Sequence, residues 1–184
     1  PGPEKLFEEA ATKYLRVQRK MERLGVGWSN LPRELQREMD EVCELLEQAA
    51  DQGHEVAMYN LGVMYEKGQA VTQDFTKARE RFGLAAAQGH AGAQHNLGHM
   101  HCERQGGPQD FTRARELYEL AAAQGHADAQ SNLGLLHHRG EGGPRDFTRA
   151  REQYGRAAGR GRAEAPADAG PLHKRGEGGP RDVE

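Results

Sequence analysis

Residues 110–145 read DFTRARELYELAAAQGHADAQSNLGLLHHRGEGGPR, and the 36 residues before them, 74–109, read DFTKARERFGLAAAQGHAGAQHNLGHMHCERQGGPQ. The two stretches agree at 23 positions without a gap. Residues 146–181 agree with 110–145 at 23 positions, and residues 38–73 agree with 74–109 at 13. Self-similarity at a fixed period of this length marks a repeat architecture in which each period is one supersecondary unit. The chain therefore divides into residues 1–37, repeats at 38–73, 74–109, 110–145 and 146–181, and a tail at 182–184.

Each repeat carries its own punctuation. In the third, Asp146 is placed to accept hydrogen bonds from free N–H groups as the next N-cap, and Gly125 to end the first helix of the repeat. The spacing predicts helices over 111–124 and 127–139, the second stopped at Gly140, with Gly142-Gly143-Pro144 as the link onward. One repeat is then two antiparallel helices. Phe111, Ala114, Tyr118, Ala121 and Ala122 recur at helical spacing on the first, and Ala129, Leu133, Leu136 and His137 on the second. Neither stripe closes a core alone, so neighbouring helices must supply the missing surface. Gly62, Gly98, Gly134 and Gly170 form one column in the second helix, where glycine costs up to about 1 kcal/mol relative to alanine. Its recurrence predicts a place where helix backbones touch.

Leu, Ile, Val and Phe make up only 28 of 184 residues, while Ala contributes 25 and Gly 24. So low a share of large apolar residues is typical of disordered chains, but a net charge of −3 removes charge repulsion as a cause. Close helix packing through small residues accounts for it instead. No window approaches the roughly 18 apolar residues of a bilayer span, and no basic-then-apolar leader opens the chain. Cys43 and Cys102 suggest no disulfide framework, so a reducing, cytoplasmic setting is the expectation. A pI near 6.3 gives no general attraction to nucleic acid, and a membrane is expected to be reached only through a partner.

The ends differ from the middle. Leu6, Ala10, Tyr14, Val17, Met21 and Leu24 predict an amphipathic helix over 4–24, read as a cap on the stack, with a membrane anchor ending near Trp28 as the alternative. A second helix is expected from about Pro32 through Ala50, with Ser29 or Asn30 as its cap. In the last repeat Pro166 and Pro171 interrupt the second helix, where no regular helix is expected and stability should be lowest. Residues 38–73 hold eight acidic residues and one basic, residues 146–181 five acidic and eight basic, a polarity suited to weak head-to-tail self-association.

The motif A-x-A-Q-x-N-L-G at 127–134, with A-A-x-x-G at 121–125 and the following loop and D-x-x-x-A, resembles the Sel-one-like repeat (SLR), a relative of the tetratricopeptide repeat. The resemblance spans residues 38–181. It implies an all-α fold, a right-handed α-solenoid of two-helix repeats, acting as a non-catalytic scaffold or adaptor for another protein or peptide. A cysteine-rich branch of that family associated with β-lactam binding resembles this chain in fold only, because the paired cysteine of each repeat is missing here.

The repeats also serve as an internal comparison. Asn60, Asn96 and Asn132 recur and are expected to satisfy loop backbone groups. The face spaced i, i+4, i+7 on the second helix varies: Tyr59, Val63 and Glu66, then His95, His99 and Cys102, then Ser131, Leu135 and His138. By analogy with the tetratricopeptide arrangement this face is concave, so these nine residues are the expected partner-binding surface. His95, His99 and Cys102, joined by His138, are also metal-ligand types on one helix face, and a metal-binding protein or metal-dependent hydrolase is the alternative. No nucleophile elbow, phosphate-binding glycine loop or H-E-x-x-H occurs, and no cofactor is expected. Arg79, Arg115 and Arg151, accompanied by Glu80, Glu116 and Glu152, read as a solvated, salt-bridged face with no role in nucleic-acid binding.

Overall fold

The computed structural model describes residues 1–159. These residues contain eight α-helices and no strand, the all-α fold that the repeat pattern predicts. The helices are α1 (Pro3–Leu24), α2 (Arg33–Asp51), α3 (Glu55–Lys67), α4 (Phe75–Ala87), α5 (Ala91–Cys102), α6 (Phe111–Ala123), α7 (Ala127–Arg139) and α8 (Phe147–Gly159). They form two compact units, one from Pro1 to His90 and one beginning at Ala91. In the first, α1 packs along α2 and α3 along α4; in the second, α5 packs along α6 and α7 along α8. The expectations for Pro166 to Pro171, and for Gly170 in the glycine column, lie outside the described residues.

Local chemistry sets the helix ends. Asp74, Asp110 and Asp146 each accept the backbone N–H three residues on, at 3.0, 2.9 and 2.9 Å, so the first helix of each repeat after the first starts on a charged N-cap. The second helices start on histidine: His54 Nδ1 accepts from the Ala57 amide at 3.2 Å and His126 Nδ1 from the Ala129 amide at 3.3 Å. Between the two helices of a repeat the chain passes through Gly125 at φ +86°, a left-handed conformation that favours glycine. The first of these helices ends at Ala123 with Gln124 as C-cap, one residue before the predicted end. The second spans 127–139 as predicted.

Three expectations need correction. Helix α2 starts on Pro32 with no side-chain cap; Asn30 instead accepts the Gly27 N–H at 3.1 Å within a short 3₁₀ turn, Trp28–Asn30. The membrane-anchor alternative for α1 fails because Leu6, Ala10, Val17 and Met21 are buried, at most 7% exposed. That burial commits the predicted apolar row to the protein interior. The glycine column seats aromatic rings, with a helix backbone beside the ring at Gly134, where the Ala150 carbonyl oxygen would lie 3.2 Å from a Cβ. A Cβ on Gly62 would meet Phe82 Cδ1 at 2.6 Å, one on Gly98 would meet Tyr118 Cε1 at 2.8 Å, and one on Gly134 would meet Tyr154 Cε1 at 2.9 Å.

Candidate functional site

Helix α3 presents Tyr59, Val63 and Glu66 in the first unit, and they separate. The Tyr59 ring stacks on His90 with centroids 4.5 Å apart and leans on Phe82 at 5.8 Å, so much of its surface is spent internally. The Glu66 carbonyl accepts from Gln73 Nε2 at 2.8 Å. Val63 lines an apolar pocket of about 270 Å³, shared with Asn60 and Met64 of α3 and with Phe7, Tyr14 and Leu15 of α1.

The second unit holds the other six. His95 stacks on His126 at 4.7 Å and leans on Tyr118 at 5.8 Å. Its Nδ1 lies 3.0 Å from Asn96 Oδ1 and its Nε2 lies 3.2 Å from Asn132 Nδ2. An amide nitrogen only donates and an amide oxygen only accepts, so the ring is neutral with its proton on Nδ1. Burial holds the imidazole below the usual histidine range, helped by nearby His126 and His99. Asn132 also donates to Tyr118, whose hydroxyl donates to Cys102. The asparagine column in this unit therefore serves a side-chain network, where loop backbone had been the expected partner.

Around that network lies a pocket of about 350 Å³, lined by His99 and Cys102 from α5, Phe111 and Tyr118 from α6, and Asn132, Leu135 and Arg139 from α7. Three of the predicted residues, His99, Cys102 and Leu135, thus share one site. His95 lies in the stack behind it, Ser131 is 9% exposed, and His138 packs edge-on against Phe147 at 5.3 Å. Tyr118 and Asn132 were missed as lining residues. Recurrence marked both as frame positions, and only the fold shows that they are also walls.

The pocket is poorly equipped for metal or thiol chemistry. Among the described residues no three His, Cys, Asp or Glu side chains converge as a metal set, and both ring nitrogens of His95 are taken by asparagines. Burial raises the Cys102 thiol to about 11, so the nucleophilic thiolate is scarce at neutral pH. These facts remove support from the metal-binding and hydrolase alternative. The arginine ladder also differs from its reading. Arg115 donates through Nη2 to the Leu136 carbonyl at 3.2 Å, near the C-terminal end of α7, while Glu116 pairs with Arg113 at 2.7 Å. Arg115 thus helps to satisfy a helix C-terminus.

Paired helices on a fixed period, with a ring on each glycine and a variable face on each second helix, define a helical-repeat protein of the SLR class. A family model for the Sel1 repeat matches residues 43–54, 56–90, 91–126 and 127–161, and the chain belongs to that family. The matched segments from residue 56 onward each begin at a second helix and end with the first helix of the following repeat, the pairing that packs most closely here. Among solved structures, the chain is similar to a Sel1 repeat protein from Oxalobacter formigenes, at 30% identity and a TM-score of 0.71 over 77% of this chain and 56% of that one. It is also similar to c5321, described as a protective antigen present in uropathogenic Escherichia coli strains and displaying an SLR fold. There the identity is 29% and the TM-score 0.76, over 97% of this chain and 38% of that one. The chain thus spans about half or less of the length of these relatives. A search of curated proteins finds no match.

Proposed function

We propose that the chain is a non-catalytic scaffold or adaptor that binds a segment of another protein through the variable faces of its second helices. Sel1 repeats generally mediate interactions between proteins, and the particular surface is inferred from the residues. The observation that carries the reading is the pocket between α5, α6 and α7. Its recurrent residues, Tyr118 and Asn132, are fixed by a hydrogen-bonded network, while its variable residues, His99, Cys102 and Leu135, face the open volume. A rigid wall with interchangeable side chains is how a repeat frame acquires a ligand of its own. Its mixed polar and apolar lining suits a peptide backbone with one apolar side chain.

Affinity purification with quantitative mass spectrometry tests this. The wild-type chain is compared with Leu135→Glu, which places a charge in the pocket, and with Leu120→Glu on α6, where the leucine is already 52% exposed and lies outside it. Partners lost with Leu135→Glu and kept with Leu120→Glu support the proposal. Partners kept by both variants defeat it.

A further inference from the structure

The first unit carries a surface that only one of the nine predicted residues, Val63, touches. On α1, Arg16, Arg19 and Arg23 are exposed and form no ion pair among the described residues. They lie three and four residues apart, on one face, over a rise of about 10 Å. The neighbouring cations are committed elsewhere: Lys13 pairs with Glu41 and Lys20 with Glu38. Leu15, 51% exposed, lines a shallow surface shared with these three arginines and also the apolar pocket beneath Phe7, Tyr14 and Val63. Strip and pocket are therefore continuous. At about 270 Å³ the pocket is smaller than most small-molecule sites but large enough for a bulky side chain. Asn60 stands in its wall with no hydrogen bond to its amide among the described residues, whereas the equivalent Asn96 and Asn132 are held by His95.

We propose that α1 and α3 form a docking site for an acidic peptide segment of a partner protein. One leucine or aromatic side chain fills the pocket, Asn60 bonds the peptide backbone beside it, and carboxylates of the next residues lie along Arg16, Arg19 and Arg23. Charge complementarity selects this occupant over other polyanions. Glu38 and Glu41 of α2 flank the strip through their ion pairs, and a flat anionic bilayer or a nucleic-acid duplex would be pressed against them. A narrow peptide can follow the arginines alone. The proposal rests on the scaffold reading but uses a different pocket from the one between α5, α6 and α7, so the two fail separately.

The test is selection from a random-peptide display library on the full chain, counter-selected with an Arg16→Glu/Arg19→Glu/Arg23→Glu variant. Circular dichroism serves to verify the variant's fold, which exposed arginines should not disturb. Enriched peptides are expected to hold one leucine or aromatic residue beside a run of Asp or Glu. The enriched peptide, labelled and followed by fluorescence anisotropy, should lose at least about tenfold in affinity to the arginine variant, and a comparable amount to Ala11→Phe, which fills the pocket. Binding should weaken as salt is raised and be unchanged by Leu135→Glu. Enriched peptides without carboxylates, or a selection that does not distinguish chain from variant, overturn the proposal. So does arginine-dependent binding to phosphatidylserine vesicles, or an arginine-dependent dimer by sedimentation, in the absence of peptide binding.

Discussion

Replacing Gly62 by alanine should destabilise the protein, against the usual direction of such a change in a helix. Alanine in a helix interior is favoured over glycine by about 0.5–1 kcal/mol. At Gly62 the new Cβ would lie 2.6 Å from both Cδ1 and Cε1 of Phe82 and 3.1 Å from Cγ. Carbon atoms rest at about 3.5–4.0 Å, so ring or helix must give by roughly 1 Å. Phe82 is fully buried at 0% exposure and has nowhere to retreat. Overpacking of this kind costs about 1–3 kcal/mol, leaving a net loss of up to about 2.5 kcal/mol, centred near 1 kcal/mol. Gly83, on α4, is the matched control: nothing lies within 4 Å of its Cβ position, so Gly83→Ala should gain about 0.5–1 kcal/mol. Urea unfolding followed by far-ultraviolet circular dichroism would read both. A Phe82→Leu background should shrink the cost of Gly62→Ala, since the two positions are coupled by contact. Gly62→Ala at or above wild-type stability, or a cost unchanged when the ring is gone, would refute the idea that the glycine column exists to seat rings.

Stability should be nearly flat between about pH 6.5 and 8 and decline below that window. Burial lowers the folded-state proton affinity of His95 and His137, so the unfolded chain takes up protons first as pH falls; urea midpoints across this range should show the slope, smaller in His95→Gln. Asp110→Ala, which removes the acceptor 2.9 Å from the Arg113 amide, should cost about 1 kcal/mol, and Asp110→Asn much less, as read by thermal unfolding. With its thiol raised to about 11, Cys102 should react slowly with iodoacetamide at neutral pH and speed up several-fold in urea, which mass spectrometry of the labelled peptide would follow.

The frame was legible because it is written more than once. Asp110 and Gly125 stand at helix ends in ways their chemistry demands, and Asp74, Asp146, Gly53 and Gly89 return at the same period, so a single correct assignment is confirmed by its neighbours. The side-chain contacts within the frame were not legible. A glycine column reports close approach but not what approaches, and a bare backbone and a phenyl ring leave the same mark. Likewise an asparagine in a fixed column announces a buried hydrogen bond without naming its partner, which in the second unit is a variable histidine. Helix α1 lies outside the repeat and lacks this internal comparison. Its buried row of Leu6, Ala10, Val17 and Met21 was readable from periodicity, whereas Tyr14 and Leu24 were wrongly joined to it. A second apolar row, Phe7, Ala11 and Leu15, was the available sign that α1 has another working face.

The variable columns divide on structural grounds. Tyr59 stacks on His90 at 4.5 Å and 22°, His95 on His126 at 4.7 Å and 20°, and Phe7 on His54 at 4.5 Å and 22°. A ring stacked on the turn histidine recurs with nearly constant geometry, although the chemical identity of the ring changes. Where Ser131 replaces the ring, the residue 31 positions on is Arg162 and not histidine, the spacing that separates Tyr59 from His90 and His95 from His126. In the first two triads the first position is therefore packed against the turn histidine. The next position, Val63, His99 and Leu135, lines a pocket in each case, and we propose that it is the row free to vary for a partner's sake. Substitutions at that row should change what binds while leaving the fold intact, whereas substitutions at Tyr59 or His95 should disturb the stack first and binding only in consequence.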